Sequence, residues 1–254
     1  MQQAWSKFKK NPFGLVRNVV QKGIIARLRY GHQQAGYDAA RYWDDRLRKY
    51  GGSLRGVGDE GLSENDNARQ YQEAAQAFRG LWQSLGLTAD QVATLRVLEV
   101  GTGTGFYTRL LHELGVRTYT GVDITDALFA QLQAELPTFR FQRADVTDVA
   151  LTSALVGLNN LPYDLLIILD VIEHIVTDEK FAQAMATLDS CLRPGGKLII
   201  APLMAKAQKH LFYVRFWSFV ELQRFLPSYR WGEPVAFRNS YLYVGQKPDS
   251  FNDL

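Results

Sequence analysis

The 254-residue chain has one cysteine, Cys191, only four histidines, and no long uninterrupted apolar run. A single thiol excludes an internal disulfide, so Cys191 reads as a small core residue of a protein kept in a reducing compartment. His32, His112, His174 and His210 lack the paired spacing of a zinc finger, so no structural metal is expected to hold the fold. Without about 18 consecutive apolar residues no membrane span is expected. The N-terminus shows neither the apolar stretch nor the small-residue cleavage site of a secretory signal, and the expected location is the cytoplasm. Residues 1–37 contain no acid but seven basic side chains: Lys7, Lys9, Lys10, Arg17, Lys22, Arg27 and Arg29. The formal charge of +3 therefore leaves the remainder slightly acidic, which excludes a basic surface spread over the whole molecule.

What is present is enough apolar content, 46%, to bury the core of one domain with an appendage. Around Pro12 the first segment carries apolar residues at helical spacing, including Trp5, Phe8, Val16, Val20 and Ile24. It is expected to pack on the body or on a second subunit; surface association of residues 1–30 with an anionic membrane, or contact with nucleic acid, is the alternative. Residues 38–50 read as a helix, 51–61 as a glycine-broken loop, and 63–85 as a second helix behind the capping side chain of Ser63. From Leu95 the texture changes. Strands are predicted at 96–100, 118–123, 140–145, 164–171 and 196–202, with helices after the first, second and fourth. Such alternation demands a parallel sheet covered on both faces. Near the end, 233–237 and 240–247 are separated only by Arg238-Asn239, the spacing of an antiparallel hairpin.

The first strand runs into Leu98-Glu99-Val100-Gly101-Thr102-Gly103-Thr104-Gly105-Phe106. Three alternate glycines permit positive φ and close backbone approach, and the following helix presents unpaired amides to a ligand. A dinucleotide fingerprint would place its third glycine at 106, where Phe106 stands, so the turn departs from that pattern. It resembles the first motif of class I S-adenosylmethionine-dependent methyltransferases, and the resemblance runs through residues 95–247. It implies that Glu99 organises the loop or approaches the methionine ammonium through water, and that Gly101, Thr102, Gly103 and Gly105 pass beneath the methionine part. Asp123, followed by Ile124, ends the second strand where a carboxylate accepts ribose hydroxyls; the alternative is a helix cap. Asp145, beside Ala144 and Val146, resembles the residue that accepts from the adenine amino group; the alternative is a solvated loop acid. Leu192-Arg193-Pro194-Gly195-Gly196 resembles the family's turn into the fifth strand, which identifies the fold and does no chemistry.

The fourth predicted strand ends at Asp170, with Glu173 and His174 immediately after it. Asp170 would face the methionine portion or the acceptor. His174, which titrates near neutrality, is the first candidate for a general base, with a structural histidine as the alternative. Asp170, Glu173 and His174 also resemble the E-x-x-E-H arrangement with which some methyltransferases of RNA or quinone precursors hold a divalent metal, to which His210 would add a ligand; metal dependence is the less favoured reading. Tyr42, Trp43, Tyr71, His210, Tyr213 and Trp217 are the candidate acceptor wall, against a bland reading as core aromatics. The expectation is a Rossmann-like, mostly parallel seven-stranded α/β sheet from residue 92 onward with an antiparallel C-terminal hairpin, preceded over 1–91 by the basic segment and a helical cap. Its expected function is methyl transfer from S-adenosylmethionine, leaving S-adenosylhomocysteine, to a small-molecule acceptor, with oxygen favoured over nitrogen or carbon. RNA modification and a non-catalytic cofactor-binding role are the rivals, and the oligomeric state is open.

Overall fold

In the computed structural model, residues 26–32, 36–148 and 162–249 are described. Most of the basic first segment, residues 1–25, lies outside them, as does the connection 149–161. The chain enters through a short antiparallel ladder, Gly31–His32 with Gly36–Tyr37. It continues into α1 (Ala39–Tyr50), whose N-cap Asp38 accepts from the Arg41 amide. After the glycine-rich loop comes α2 (Glu64–Ser84), opened by Ser63, which accepts from the Asp66 amide. A short α3 (Ala89–Thr94), absent from the sequence expectation, is opened by a reciprocal Thr88–Gln91 capping box.

The sheet then begins. In chain order come β1 (Arg96–Val100), α4 (Phe106–Glu113), β2 (Thr118–Asp123), α5 (Phe129–Glu135), β3 (Arg140–Arg143), β4 (Tyr163–Leu169), α6 (Asp178–Cys191), β5 (Leu192–Leu203), α7 (Phe219–Phe225), β6 (Arg230–Trp231), β7 (Val235–Phe237) and β8 (Ser240–Gln246). The strand order is β6-β8-β5-β4-β1-β2-β3, with β7 also on β8. β3, β2, β1, β4 and β5 run parallel, and β8 lies antiparallel to β5. The order reverses direction between β1 and β4, which opens a crevice at the carboxyl ends of those strands.

In place of the strand expected at 233–237 stands an edge strand broken in two. β6 pairs with the far half of β8 and β7 with its near half. Between them stands Gly232-Glu233-Pro234, where proline cannot donate to the ladder. A second departure concerns residues 192–196. α6 ends at Cys191 and β5 starts at once, so the Pro-Gly-Gly turn is an irregularity inside the strand: the partner of Tyr163 is Leu192 but that of Leu165 is Lys197. Gly195 has φ 71° there.

The sheet is buried on both faces, as the continuous apolar run of β4 requires. Leu166 and Ile168 join the core that includes Phe181, Leu188, Trp217 and Leu222. Leu165, Ile167 and Leu169 join the opposite core, with Tyr71, Phe78, Trp82 and Leu111. α2 thereby belongs to the layer that covers the sheet.

Trp217 is a correction. Expected in the acceptor wall, it is fully buried, stacked on Phe181 at 3.8 Å, and donates from Nε1 to the Ile175 carbonyl at 2.9 Å. The Arg215 guanidinium covers its ring at 3.6 Å. Trp217→Ala is expected to cost about 3–5 kcal/mol of stability through the cavity it leaves, read by denaturant unfolding. A loss below about 1 kcal/mol would contradict the core assignment.

Candidate active site

The glycine turn is stitched to the neighbouring strand. The Gly101 amide donates to the Val122 carbonyl at 2.7 Å and the Gly105 amide to the Thr102 carbonyl at 2.7 Å; Gly103 donates to Asp123 Oδ2 at 2.8 Å. Gly101 and Gly103 have φ 83° and 49°, conformations that disfavour any side chain. A Cβ on Gly101 would overlap Val171, and one on Gly103 would press on Val57. The backbone is therefore bare where it faces a cavity of about 1030 Å³, counting space open to solvent at its mouth. Thr102, which lines it, keeps a buried hydroxyl with no hydrogen-bond partner. Gly105 corrects the expectation. It caps α4 with left-handed geometry and faces Leu132 of α5, outside the cavity wall, so its bareness serves packing.

Three acids were expected around this turn, and they separate into two roles. Asp123 lines the cavity, with Oδ2 on Gly103 and Oδ1 accepting the Thr125 amide at 3.1 Å. Burial pushes it up to about 6, against the pull of those amides. The helix-cap alternative does not describe it, since α5 starts only at Phe129 behind Leu128. Asp145 also lines the cavity, flanked by Ala144, Val146 and Thr147; its Oδ1 accepts the amide and hydroxyl of Thr147, both at 2.8 Å. Glu99 does not line the cavity. Its Oε2 accepts from Thr108 at 2.8 Å and from Tyr119 at 2.5 Å, while Oε1 is buried without a partner. Burial raises Glu99 to about 7, opposed by those two hydroxyls. It braces the turn from behind.

At the end of β4 the expected Asp170 meets Arg238, a residue that no local pattern marked. Asp170 lines the cavity with φ 58°. Its Oδ2 accepts from the Tyr107 hydroxyl at 3.0 Å, and its Oδ1 pairs with Arg238 from the β7–β8 turn. Glu173 is raised by burial and by the neighbouring Asp170 charge, and its Oε2 is sealed without a partner. His174 lines the cavity and meets the Trp43 ring edge-on at 4.7 Å. Its Nδ1 lies 3.2 Å from the Tyr213 carbonyl. Because that oxygen can only accept, Nδ1 carries the proton and Nε2 keeps its lone pair. Burial lowers His174 to about 4, so it is neutral at pH 7. Among the described residues no three His, Cys, Asp or Glu side chains form a group able to hold a metal, and Asp170 already faces a guanidinium.

The cap supplies the opposite wall. Trp43 and Tyr71 line the cavity as expected, joined by Tyr37, Leu47 and Val57, which were not expected. Tyr42 and Tyr213 stand behind them, ring to ring at 5.0 Å, and support the wall without lining it. Arg46 holds this cap together: it donates to Tyr42 at 2.8 Å and to the carbonyls of Arg55 and Gly58. The Thr125 hydroxyl ties α1 to the β2 end through Asp44 Oδ1 at 2.6 Å. His210 sits on an unexpected ladder, Gln208–Leu211 with Val214–Phe216; its side chain lies outside the described set.

Sheet order, glycine turn and strand-end acids together make a Rossmann-like methyltransferase fold. Residues 98–198 match the family model described as methyltransferase domain. A highly reducing polyketide synthase of Fusarium sp is 27% identical over 72% of this chain, which spans 7% of that protein. A tRNA U34 carboxymethyltransferase of Idiomarina loihiensis is 23% identical over 62% of the chain, which spans 50% of it. The chain thus spans half or less of both curated relatives. Among solved structures, magnesium protoporphyrin IX methyltransferase from Synechocystis PCC 6803 with bound S-adenosylhomocysteine aligns at TM-score 0.58 and 16% identity, covering 82% of this chain and 96% of that one. A Burkholderia thailandensis 1,6-didemethyltoxoflavin N1-methyltransferase, with its acceptor and S-adenosylhomocysteine bound, aligns at TM-score 0.52 and 21% identity, covering 83% and 91%. Among the described residues no helix is long and apolar enough to cross a membrane.

The buried acids fix the sign of a pH dependence. Glu99 and Asp123 are raised above their ordinary values, so their contribution to stability is full below about pH 4 and is lost as pH rises through 6 to 7. His174, lowered, acts oppositely, losing its contribution as pH falls from 6.5 toward 4. The ligand-free protein is expected to melt at a higher temperature at pH 6 than at pH 8.5, and Glu99→Gln, which can still accept from Thr108 and Tyr119, to shrink that difference. Melting curves in which the substitution leaves the difference untouched would contradict the assignment.

Proposed function

We propose that the chain transfers a methyl group from S-adenosylmethionine to a small-molecule acceptor, with an oxygen acceptor favoured. The observation that carries this reading is that one cavity is walled on one side by the bare turn, Asp123 and Asp145 and on the other by Tyr37, Trp43, Tyr71 and His174. The residues fit the cofactor. Gly101 and Gly103 line the cavity with backbone alone, the Thr102 hydroxyl lacks a partner, and Asp123 retains acceptor capacity beyond its two amides for ribose hydroxyls. Asp145 and Val146 would take the adenine. The cofactor supplies an activated methyl group bound to a sulfonium centre, so the protein is left with alignment, exclusion of water and one proton.

Trp43 and Tyr37 present aromatic surface to an acceptor, which suits a planar or apolar compound and keeps water from the sulfonium. His174 is held by the Tyr213 carbonyl with an unprotonated nitrogen available. Its weak basicity is adequate at one stage: a hydroxyl oxygen becomes strongly acidic once methylated, and a base near 4 can then take its proton. A second reading, an RNA acceptor, is favoured by the seven cations within residues 1–37 and by the similarity to the tRNA enzyme. It predicts acceptor binding that weakens steeply with salt, which a small neutral acceptor would not show.

Asp123→Ala is expected to weaken S-adenosylhomocysteine binding by about 1–3 kcal/mol in calorimetry; unchanged affinity would remove Asp123 from the site. His174→Ala is expected to lower turnover by about 10²–10⁴ while leaving cofactor affinity within about threefold. A variant that turns over normally would return His174 to a structural role.

A further inference from the structure

The wall of the cavity carries the acids Asp123, Asp145 and Asp170 but, among the described residues, a single Lys or Arg, Lys180. Lys180 follows His174, Ile175 and Val176 along that wall and stands, partly buried, on the first turn of α6. The acids are engaged elsewhere: Asp123 by the Gly103 and Thr125 amides, Asp145 by Thr147, and Asp170 by Tyr107 and Arg238. Lys180 gives its backbone amide to Thr177 Oγ1 at 3.3 Å, while its ammonium has no hydrogen bond or ion pair to any described residue.

Nothing in the helix calls for a cation at this position. Lys180 is the third residue behind the N-cap Thr177, where a capping box would place Glu or Gln, and its charge lies at the positive end of the helix dipole. Asp178 and Glu179 already serve that dipole. The cofactor of the proposed reaction gives the ammonium no partner either. Its adenine and ribose are neutral, its sulfonium and amino group are cations, and its one carboxylate belongs to the methionine part at the bare turn. A cation kept in the same cavity as a sulfonium raises the energy of the loaded site unless an anion arrives with the second ligand. A lone lysine, a compact point charge, suits a monoanion; a phosphate dianion is better matched by an arginine fork.

We propose that Lys180 is a specificity residue of the acceptor site, holding a carboxylate of the acceptor while the hydroxyl to be methylated lies at His174. The acceptor class is thereby a planar hydroxy acid. The inference rests on the methyl-transfer reading above, and its test separates the two.

Calorimetry on the full chain saturated with S-adenosylhomocysteine would titrate 6-hydroxy-2-naphthoate and its methyl ester, which keeps the ring, hydroxyl and carbonyl and loses the charge. The acid is expected to bind about 5- to 30-fold tighter than the ester. Lys180→Gln is expected to abolish that preference and Lys180→Arg to keep most of it, both leaving S-adenosylhomocysteine affinity within about threefold. Because glutamine suits the third helical position, ligand-free melting of Lys180→Gln is expected to be unchanged or higher, which separates a lost preference from a lost fold. An acid that binds no better than its ester, or a preference that survives Lys180→Gln, overturns the inference and leaves the cofactor reading standing. So does a Lys180→Gln variant that loses S-adenosylhomocysteine as strongly as the acid, since Lys180 would then serve the cofactor. If the unaltered protein binds no S-adenosylhomocysteine, the cofactor reading itself fails and the inference with it.

Discussion

The hydrogen bond from the Gly103 amide to Asp123 Oδ2, 2.8 Å long, is the constraint on which the rest of the site depends. It fastens the turn after β1 to the end of β2, across the strand pair whose register sets Val100 against Val122. A carboxylate so buried would ordinarily give up its charge, and Asp123 is indeed raised to about 6. It stays close to ionisation because backbone amides point at it. The same geometry that stabilises the turn leaves a strongly accepting group at the edge of the cavity, poised for a ligand's hydroxyl groups. In the proposed function, structure and recognition use one interaction.

Around that bond the site is assembled by layers that have opposite jobs. The sheet side offers polar atoms in fixed positions: the Thr102 hydroxyl, Asp123, Asp145 and Asp170. The cap side offers rings and aliphatic carbon from Tyr37, Trp43, Leu47 and Val57. An apolar roof over a polar floor strengthens every electrostatic contact beneath it, since water is kept away. The roof is positioned by Arg46 and by the Asp44–Thr125 contact rather than by apolar packing alone. Its attachment point, Thr125, is two residues from Asp123. Cap and floor are thereby held in one register.

Most of the floor was legible in the sequence, and most of the roof was not. Glycines at alternate positions after an apolar run, and single acids at strand ends, are local signals: the constraint that selects them acts within a few residues of where they stand. Glu99 and Gly105 belong to the same motif yet face away from the cavity, because strand alternation and the helix cap send them to the packing side. Trp217 misled for a related reason. An aromatic before a helix looks the same whether it walls a pocket or fills a core, and only the tertiary fold brings Phe181 onto it. Arg238 had no local mark at all. Its meaning comes from a partner 68 residues away, which the topology of the C-terminal hairpin delivers and no periodicity could. The split of the outer strand was foreshadowed by Gly232 and Pro234, whose effect on a ladder is local.

The account stands or falls on what the bare turn and its acid hold. A crystal structure of the full chain grown with S-adenosylhomocysteine tests this most directly. The account predicts the ribose hydroxyls within hydrogen-bonding distance of Asp123 and the nucleoside chain lying along Gly101–Gly103. A nucleoside bound away from that turn, or a cavity that stays empty at saturating concentration, would contradict it.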